Sequence, residues 1–387
     1  EKDVLSVDIQ SLKGTSDLYG SINSFQADIR YSSESLMSES FALKLNKNEI
    51  NGSGLVTFLG GNLANLNPAE FFIQLDKNTI QLNDFPSLKP YLKVQSMLKA
   101  DVVVKGSLQD FEVNFKLQGA YRSQIEGTIQ VVDGLQKDKI RINSDAISIK
   151  TSDKALGAIF LKETYDQLKP YTTKTGDLII DSEFTGDKNN WNIISNVKTK
   201  LGVLSPNVKL KRVTVDQPWE LAVALDVDAF ELRTLLNPKT PIKATASLSI
   251  NGTVDERRFT LIESKGLINQ LEIGENTLNN LNFFARHKNE LTTATLGSME
   301  SRHLFDMEIA FNHAEESLEV NGDFKSLNLS SFALADVNSD ITLSTSLRLK
   351  KTKKTAVEDQ FIFELGAPII SSNGKQNQFK DFKLNAQ

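Results

Sequence analysis

The chain has 387 residues, 40% hydrophobic and 24% charged, so it carries enough apolar material for a large core and is not disordered by composition. Its 44 Lys+Arg against 49 Asp+Glu leave a net charge of −5, which argues against a nucleic-acid binder with a basic stripe. The lack of cysteine excludes disulfides, zinc–thiolate sites, iron–sulfur clusters and cysteine nucleophiles, and three histidines leave little room for metal or acid–base chemistry.

The chain starts at Glu1 with no signal peptide after it, which reads as an excised segment or a mature form. No run approaches the ~20 apolar residues that span a bilayer. Ala158-Ile159-Phe160-Leu161 is typical of the longest apolar stretches. A soluble body is expected, with any membrane anchor lying outside this sequence.

Along the chain, the first signal is a loose repeat of an apolar residue, any residue, then glycine. It occurs at Leu18-Tyr19-Gly20, Ile50-Asn51-Gly52, Val104-Lys105-Gly106, Ile125-Glu126-Gly127, Phe184-Thr185-Gly186, Ile250-Asn251-Gly252 and Val320-Asn321-Gly322. Phe25, Phe111 and Trp191 each follow such a glycine five positions later. The pattern predicts strand, glycine turn, next strand. Its irregular spacing excludes a strict solenoid code. Residues 52–61 (GSGLVTFLGG) match no phosphate-binding loop and are expected to form a hairpin. Residues 86–98 have room for a turn or two. Ser96-Met97-Leu98-Lys99 fits the S-x-x-K of penicillin-recognising serine enzymes, and Lys174-Thr175-Gly176 fits their K-T-G. The intervening S-x-N element is missing, since Asn143-Ser144-Asp145 does not match, and the pair reads as coincidence.

Alternation with period two dominates. Phe111, Val113, Phe115 and Leu117 alternate with Glu112, Asn114 and Lys116. Ala244, Ala246, Leu248 and Ile250 alternate with Thr245, Ser247 and Ser249. Phe305, Met307, Ile309 and Phe311 follow the same rule, as do Ile341, Leu343, Leu347 and Leu349. Each such strand has one dry face and one wet face, the signature of antiparallel sheet. Helical signals are confined to residues 154–168, ending before Pro170, and residues 228–236, stopped by Asn237-Pro238. So few helices cannot cover the apolar faces of about 25 strands, at ~15 residues per strand and turn.

The expected fold is therefore all-β with minor short helices: an elongated, mostly antiparallel, curled sheet with a hydrophobic interior, forming one continuous domain over 1–387. From the pattern alone, a self-sealed sandwich or barrel stack remains an equal alternative. His287, His303 and His313 lack metal-ligand spacing and read as surface or strand residues. Lys350, Lys351, Lys353 and Lys354 read as a solvated hairpin loop, or else as a contact for anionic lipid headgroups. No acid–base or nucleophile constellation stands out, so no enzyme, metal or cofactor is expected.

Segments 106–132 (GSLQDFEVNFKLQGAYRSQIEGTIQVV) and 247–285 (SLSINGTVDERRFTLIESKGLINQLEIGENTLNNLNFFA) resemble the AsmA-like/TamB superfamily of bacterial envelope proteins. The likeness lies in glycine after an apolar strand, in Leu278-Asn279-Asn280-Leu281-Asn282, and in interruptions at Asn67-Pro68 and Asn237-Pro238. The resemblance implies a taco-like β-groove in the periplasm of a Gram-negative bacterium, anchored in the inner membrane in a longer protein. It implies phospholipid transport toward the outer membrane and support of outer-membrane assembly, with membrane proteins as partners at the ends. Neither an anchor helix nor a partner-binding domain is evident in this sequence. Phospholipid acyl chains are the expected ligand, and no nucleic acid is expected to bind. The residues expected to line the groove are Phe111, Val113, Phe115, Leu117, Leu248, Ile250, Phe305, Ile309, Phe311, Ile341, Leu343, Leu347 and Leu349. The competing reading is a ligand-free structural or adhesive β-rod of the envelope.

Overall fold

Alternating β-branched and aromatic residues make strands, and in the computed structural model they account for 73% of the chain, against 8% helix. The structure describes all residues except 1–3, 17–19, 60–65, 68, 85–88, 94–95, 215, 233–240, 256–257, 275, 330–340, 354–358 and 387. Contacts group the chain into two units, Glu1–Lys200 and Leu201–Gln387.

The first unit holds β1 (Leu5–Ser16), β2 (Gly20–Tyr31), β3 (Ser35–Leu45), β4 (Asn48–Thr57), β5 (Glu70–Gln81), β6 (Met97–Ser107), β7 (Phe111–Gln118), β8 (Gln124–Val132), β9 (Arg141–Thr151), β10 (Leu178–Gly186) and β11 (Asn190–Thr199). Each pairs antiparallel with its successor. Helices α1 (Asp153–Ile159) and α2 (Lys162–Thr175) interrupt the meander between β9 and β10. The second unit holds β12 (Gly202–Lys211), β13 (Trp219–Glu231), β14 (Ile242–Asp255), β15 (Arg258–Ile273), β16 (Asn276–Lys288), β17 (Leu291–Glu300), β18 (His303–Asn312), β19 (Ser317–Asn328), β20 (Ile341–Lys353), β21 (Asp359–Ser372), β22 (Lys375–Gln378) and β23 (Phe382–Ala386). Strands β12 to β21 again pair consecutively, and β22 and β23 share the far edge of β21.

Bulges bend these long strands. Lys77 (φ 55°), Ala229 (φ 46°) and Ala367 (φ 38°) each sit at a register shift, with the backbone N–H turned out of the ladder. A side chain on a neighbouring strand or segment takes each N–H: Asp101 Oδ1 at 2.8 Å, Thr245 Oγ1 at 3.1 Å and Asp381 Oδ1 at 2.7 Å. Asp28 accepts from Ser40 N–H at 2.8 Å beside another shift, and this bond holds its carboxyl below the usual range.

Several expectations need correction. Most of the apolar-x-Gly glycines lie inside strands or at their ends, not in turns. Glycine is there to make room across the ladder. Gly106 pairs with Phe111 and Gly186 with Trp191, and a Cβ on Gly186 would stand 2.2 Å from the indole. Of the hairpin expected over 52–61, residues 52–57 are strand β4, paired with β5, and residues 60–61 lie outside the described residues. The helix expected over 228–236 is β13 through Glu231, and Leu232 N–H bonds across to the Ile242 carbonyl; residues 233–236 and Asn237-Pro238 lie outside the described residues, as do Leu18, Tyr19 and Pro68. The helix expected over 154–168 is two helices, and α2 continues through Pro170. The carbonyl that proline leaves without a partner belongs to exposed Asp166, where water can reach it. Lys350, Lys351 and Lys353 belong to β20 rather than to a loop, and Lys354 is outside the described residues. Among the described residues strands number 23, near the expected 25.

Candidate functional site

Directly opposed residues in an antiparallel ladder share a face, so the registers trace the apolar surface strand by strand. In the second unit one row runs Val208, Val223, Ile250, Ser264, Ala285, Ala294, Ile309, Val320, Leu349, Phe363, Leu384 from β12 to β23. The next row runs Pro206, Leu225, Leu248, Gly266, Phe283, Leu296, Met307, Gly322, Leu347, Leu365, Phe382. One residue over, the row Ser249, Lys265, Phe284, Thr295, Glu308, Asn321, Arg348, Glu364, Lys383 is mostly polar. Ion pairs cross the wet face, as between Arg348 and Glu319 at 3.2 Å and Arg286 and Glu263 at 3.1 Å. Lys383 and Arg348 hold the Glu364 carboxyl below its ordinary range.

All the lining candidates of this unit, Leu248, Ile250, Phe305, Ile309, Phe311, Ile341, Leu343, Leu347 and Leu349, fall on that one apolar face. In the first unit Phe111, Val113, Phe115 and Leu117 also share a face. Val113 lies between Val104 and Ile129, and Phe115 between Val102 and Gly127. That face continues through Ile73, Leu75, Ile147 and Ile149.

Few of these side chains are covered. Phe305 is 5% exposed, but most of the others are only half-buried. The chain exposes 24336 Å². Two separate compact globules of half its mass would together expose about 18,000 Å². A second sheet over the apolar rows would have removed that excess. Packing against these rows is local, as two places show. In the second unit Leu278, Leu281 and Phe305 form a cluster with Leu271, Leu296, Met307 and Phe324. In the first, α1 closes one end of the face, where Leu98 is 7% and Ala100 1% exposed. There Ser152 caps α1, and Asp153 accepts from Tyr165 OH at 2.8 Å and Thr172 Oγ1 at 2.6 Å, tying α1 to α2.

The catalytic lookalikes have structural partners. Ser96 is 3% exposed and its hydroxyl donates to the Ile159 carbonyl at 2.7 Å, while Lys174 lies in the last turn of α2. No group of three or more His, Asp or Glu able to hold a metal occurs among the described residues, and no described helix is long and apolar enough to cross a membrane. His287 and His313 meet, each with a ring nitrogen 2.9 Å from Thr292 Oγ1. Their convergence across three strands left no sequence signal. Sequence reasoning also missed hollows on the wet face, such as one of about 1120 Å³ bordered by Ser247, Lys265, Phe284, Thr295 and Glu308. A twisted sheet is saddle-shaped, so either face can be concave in one direction.

His303 stands on the apolar face between Glu300 and Leu327, 4% exposed, and burial pushes its pKa down. The folded chain therefore resists protonation, while the unfolded imidazole takes a proton as pH falls through about 6.5. Stability is full above that pH and declines below it until the folded imidazole also protonates. Urea midpoints should drop between pH 7.5 and 5.5 more for the native chain than for His303→Gln; equal drops would show that His303 is not held neutral.

Comparison with models of known protein families, with curated proteins and with solved structures gives no match.

Proposed function

We propose that the apolar face is a phospholipid-binding surface of a periplasmic lipid-transfer protein, carrying lipid between the inner and outer membranes of a Gram-negative envelope. In this reading it supports outer-membrane assembly, and within a longer polypeptide membrane proteins engage its ends. The observation that carries the reading is the uncovered, continuous apolar face. Acyl chains need only apolar surface, at about 0.8 kcal/mol per buried CH₂, and no internal hydrogen bonds. The absence of any sharp motif fits that demand, and the resemblance to AsmA-like proteins points the same way.

The test is direct. Lipid extracted from the purified chain should give phospholipid by mass spectrometry. Photo-crosslinkers at Ile309 and Leu343 should capture it, while those at Glu308 and Ser344, one residue along each strand, should not. Equal capture at both parities, or none at either, would reject the groove and favour the ligand-free rod.

A further inference from the structure

The apolar face of the second unit has two unlike ends. Toward one end it closes in the packed cluster of Leu278, Leu281 and Phe305. At the other, basic side chains appear among the apolar rows, each against an aromatic ring or hydroxyl. The row Ile262, His287, Thr292, Phe311, Leu318, Lys351, Phe361 is continuous in register across β15 to β21. His287 and His313 converge on Thr292, and His313 stands edge-on to Phe311 with centroids 4.6 Å apart. Lys351 lies over Phe361 at 5.7 Å and pairs with Asp359 at 2.8 Å. At the same strand ends Arg212 stacks on Trp219 at 4.3 Å.

Such cation–aromatic pairs suit a boundary that is apolar on one side and wet on the other. Lys351 and its acidic partner are each only partly exposed at the side chain, but an ion pair that water reaches is weak enough to yield to a phosphate. Phe311 and Phe305 are six residues apart on β18, about 20 Å along the strand. One leaflet of a bilayer core is about 15 Å deep, so a single acyl chain fits lengthwise between the fringe and the cluster.

On the lipid-binding reading above, we propose that this fringe binds the phosphate of an anionic lipid and so fixes the lipid's direction: headgroup at His287, His313 and Lys351, tail toward Phe305. The ligand class is a phosphate diester with net negative charge on a long acyl chain, rather than a zwitterionic lipid.

The experiment compares dioleoyl phosphatidylglycerol, dioleoyl phosphatidylcholine and glycerol 3-phosphate on the purified chain by native mass spectrometry and equilibrium titration. The native chain should prefer phosphatidylglycerol by about tenfold, with the preference falling as salt rises, and should not retain glycerol phosphate. The triple substitution His287→Gln, His313→Gln, Lys351→Gln should abolish the preference while phosphatidylcholine binding stays. Lys351→Gln alone, a milder change, should reduce it in part, and circular dichroism checks that each variant keeps its strands. Equal binding of the two lipids by the native chain, or a preference untouched in both variants, overturns the fringe and leaves the lipid reading standing. Binding of glycerol phosphate alone overturns it in favour of a free-anion site. Failure to bind either lipid removes the reading and the fringe together.

Discussion

Replacing Gly266 with valine should cost the second unit about 3 kcal/mol, a large share of the 5–15 kcal/mol that holds a typical domain. Gly266 lies between Leu248 and Phe283 in the second apolar row. A Cβ there would stand 2.3 Å from the Ser247 carbonyl oxygen and 2.9 Å from Leu248 Cα. Both are backbone atoms of the paired strand, so no rotamer change relieves the clash and the ladder itself must part. Gly14 on β1 is the control, since a Cβ there meets nothing within 4 Å. Gly14→Val should change the unfolding free energy by less than about 0.5 kcal/mol and so leave the urea midpoint nearly unchanged. Similar midpoints for the two variants would mean that close packing across the ladder does not limit stability.

The second large effect is on lipid. Ile309→Asp puts a carboxylate between Ala294 and Val320 in the middle of the first apolar row. Against hydrocarbon it has no partner, and even a partial desolvation penalty of about 2 kcal/mol lowers affinity roughly thirtyfold. Without lipid the same side chain stands on a half-buried face that water reaches, so the fold should survive, as strand content by circular dichroism would show. Leu343→Glu should behave alike. On the proposed lipid-transfer role, either change, made in the cell with expression verified, should also weaken the outer-membrane barrier to hydrophobic compounds. Undiminished phospholipid in the purified, folded variants would remove the groove from consideration.

The dry parity was legible because the other parity is wet. Glu308 and Arg348 advertise solvent as clearly as Ile309 and Leu349 avoid it, and the registers then place all four segments with their partners. Segment 228–231 misled because Asp228-Ala229-Phe230 reads as a helical start, while in the fold Ala229 is a bulge whose N–H goes to Thr245, a residue on the next strand. The glycines misled for a related reason. Gly186 looks like a turn until Trp191 is known to lie opposite it, and the two are joined only by pairing. The meeting of His287, Thr292 and His313 had no sequence signal at all, since it depends on the registers of β16, β17 and β18 together. What could be read was periodicity within a strand; what could not was anything set by which strands are neighbours.

Within each unit every strand bonds to the strand before or after it in the chain, apart from the split edge at β22 and β23. That makes each unit nearly one-dimensional. Relative contact order is low for an all-β protein, and loop closure adds little to the folding barrier, so hairpins can form locally and zip onto one another. Stability is then close to a sum of nearest-neighbour terms, as in solenoids, and opening should begin at end strands and travel inward. Such a sheet can gain or lose a pair of strands without disturbing registers elsewhere. The number of strands in a unit is therefore free to change hairpin by hairpin, while each bulge keeps its own local partner.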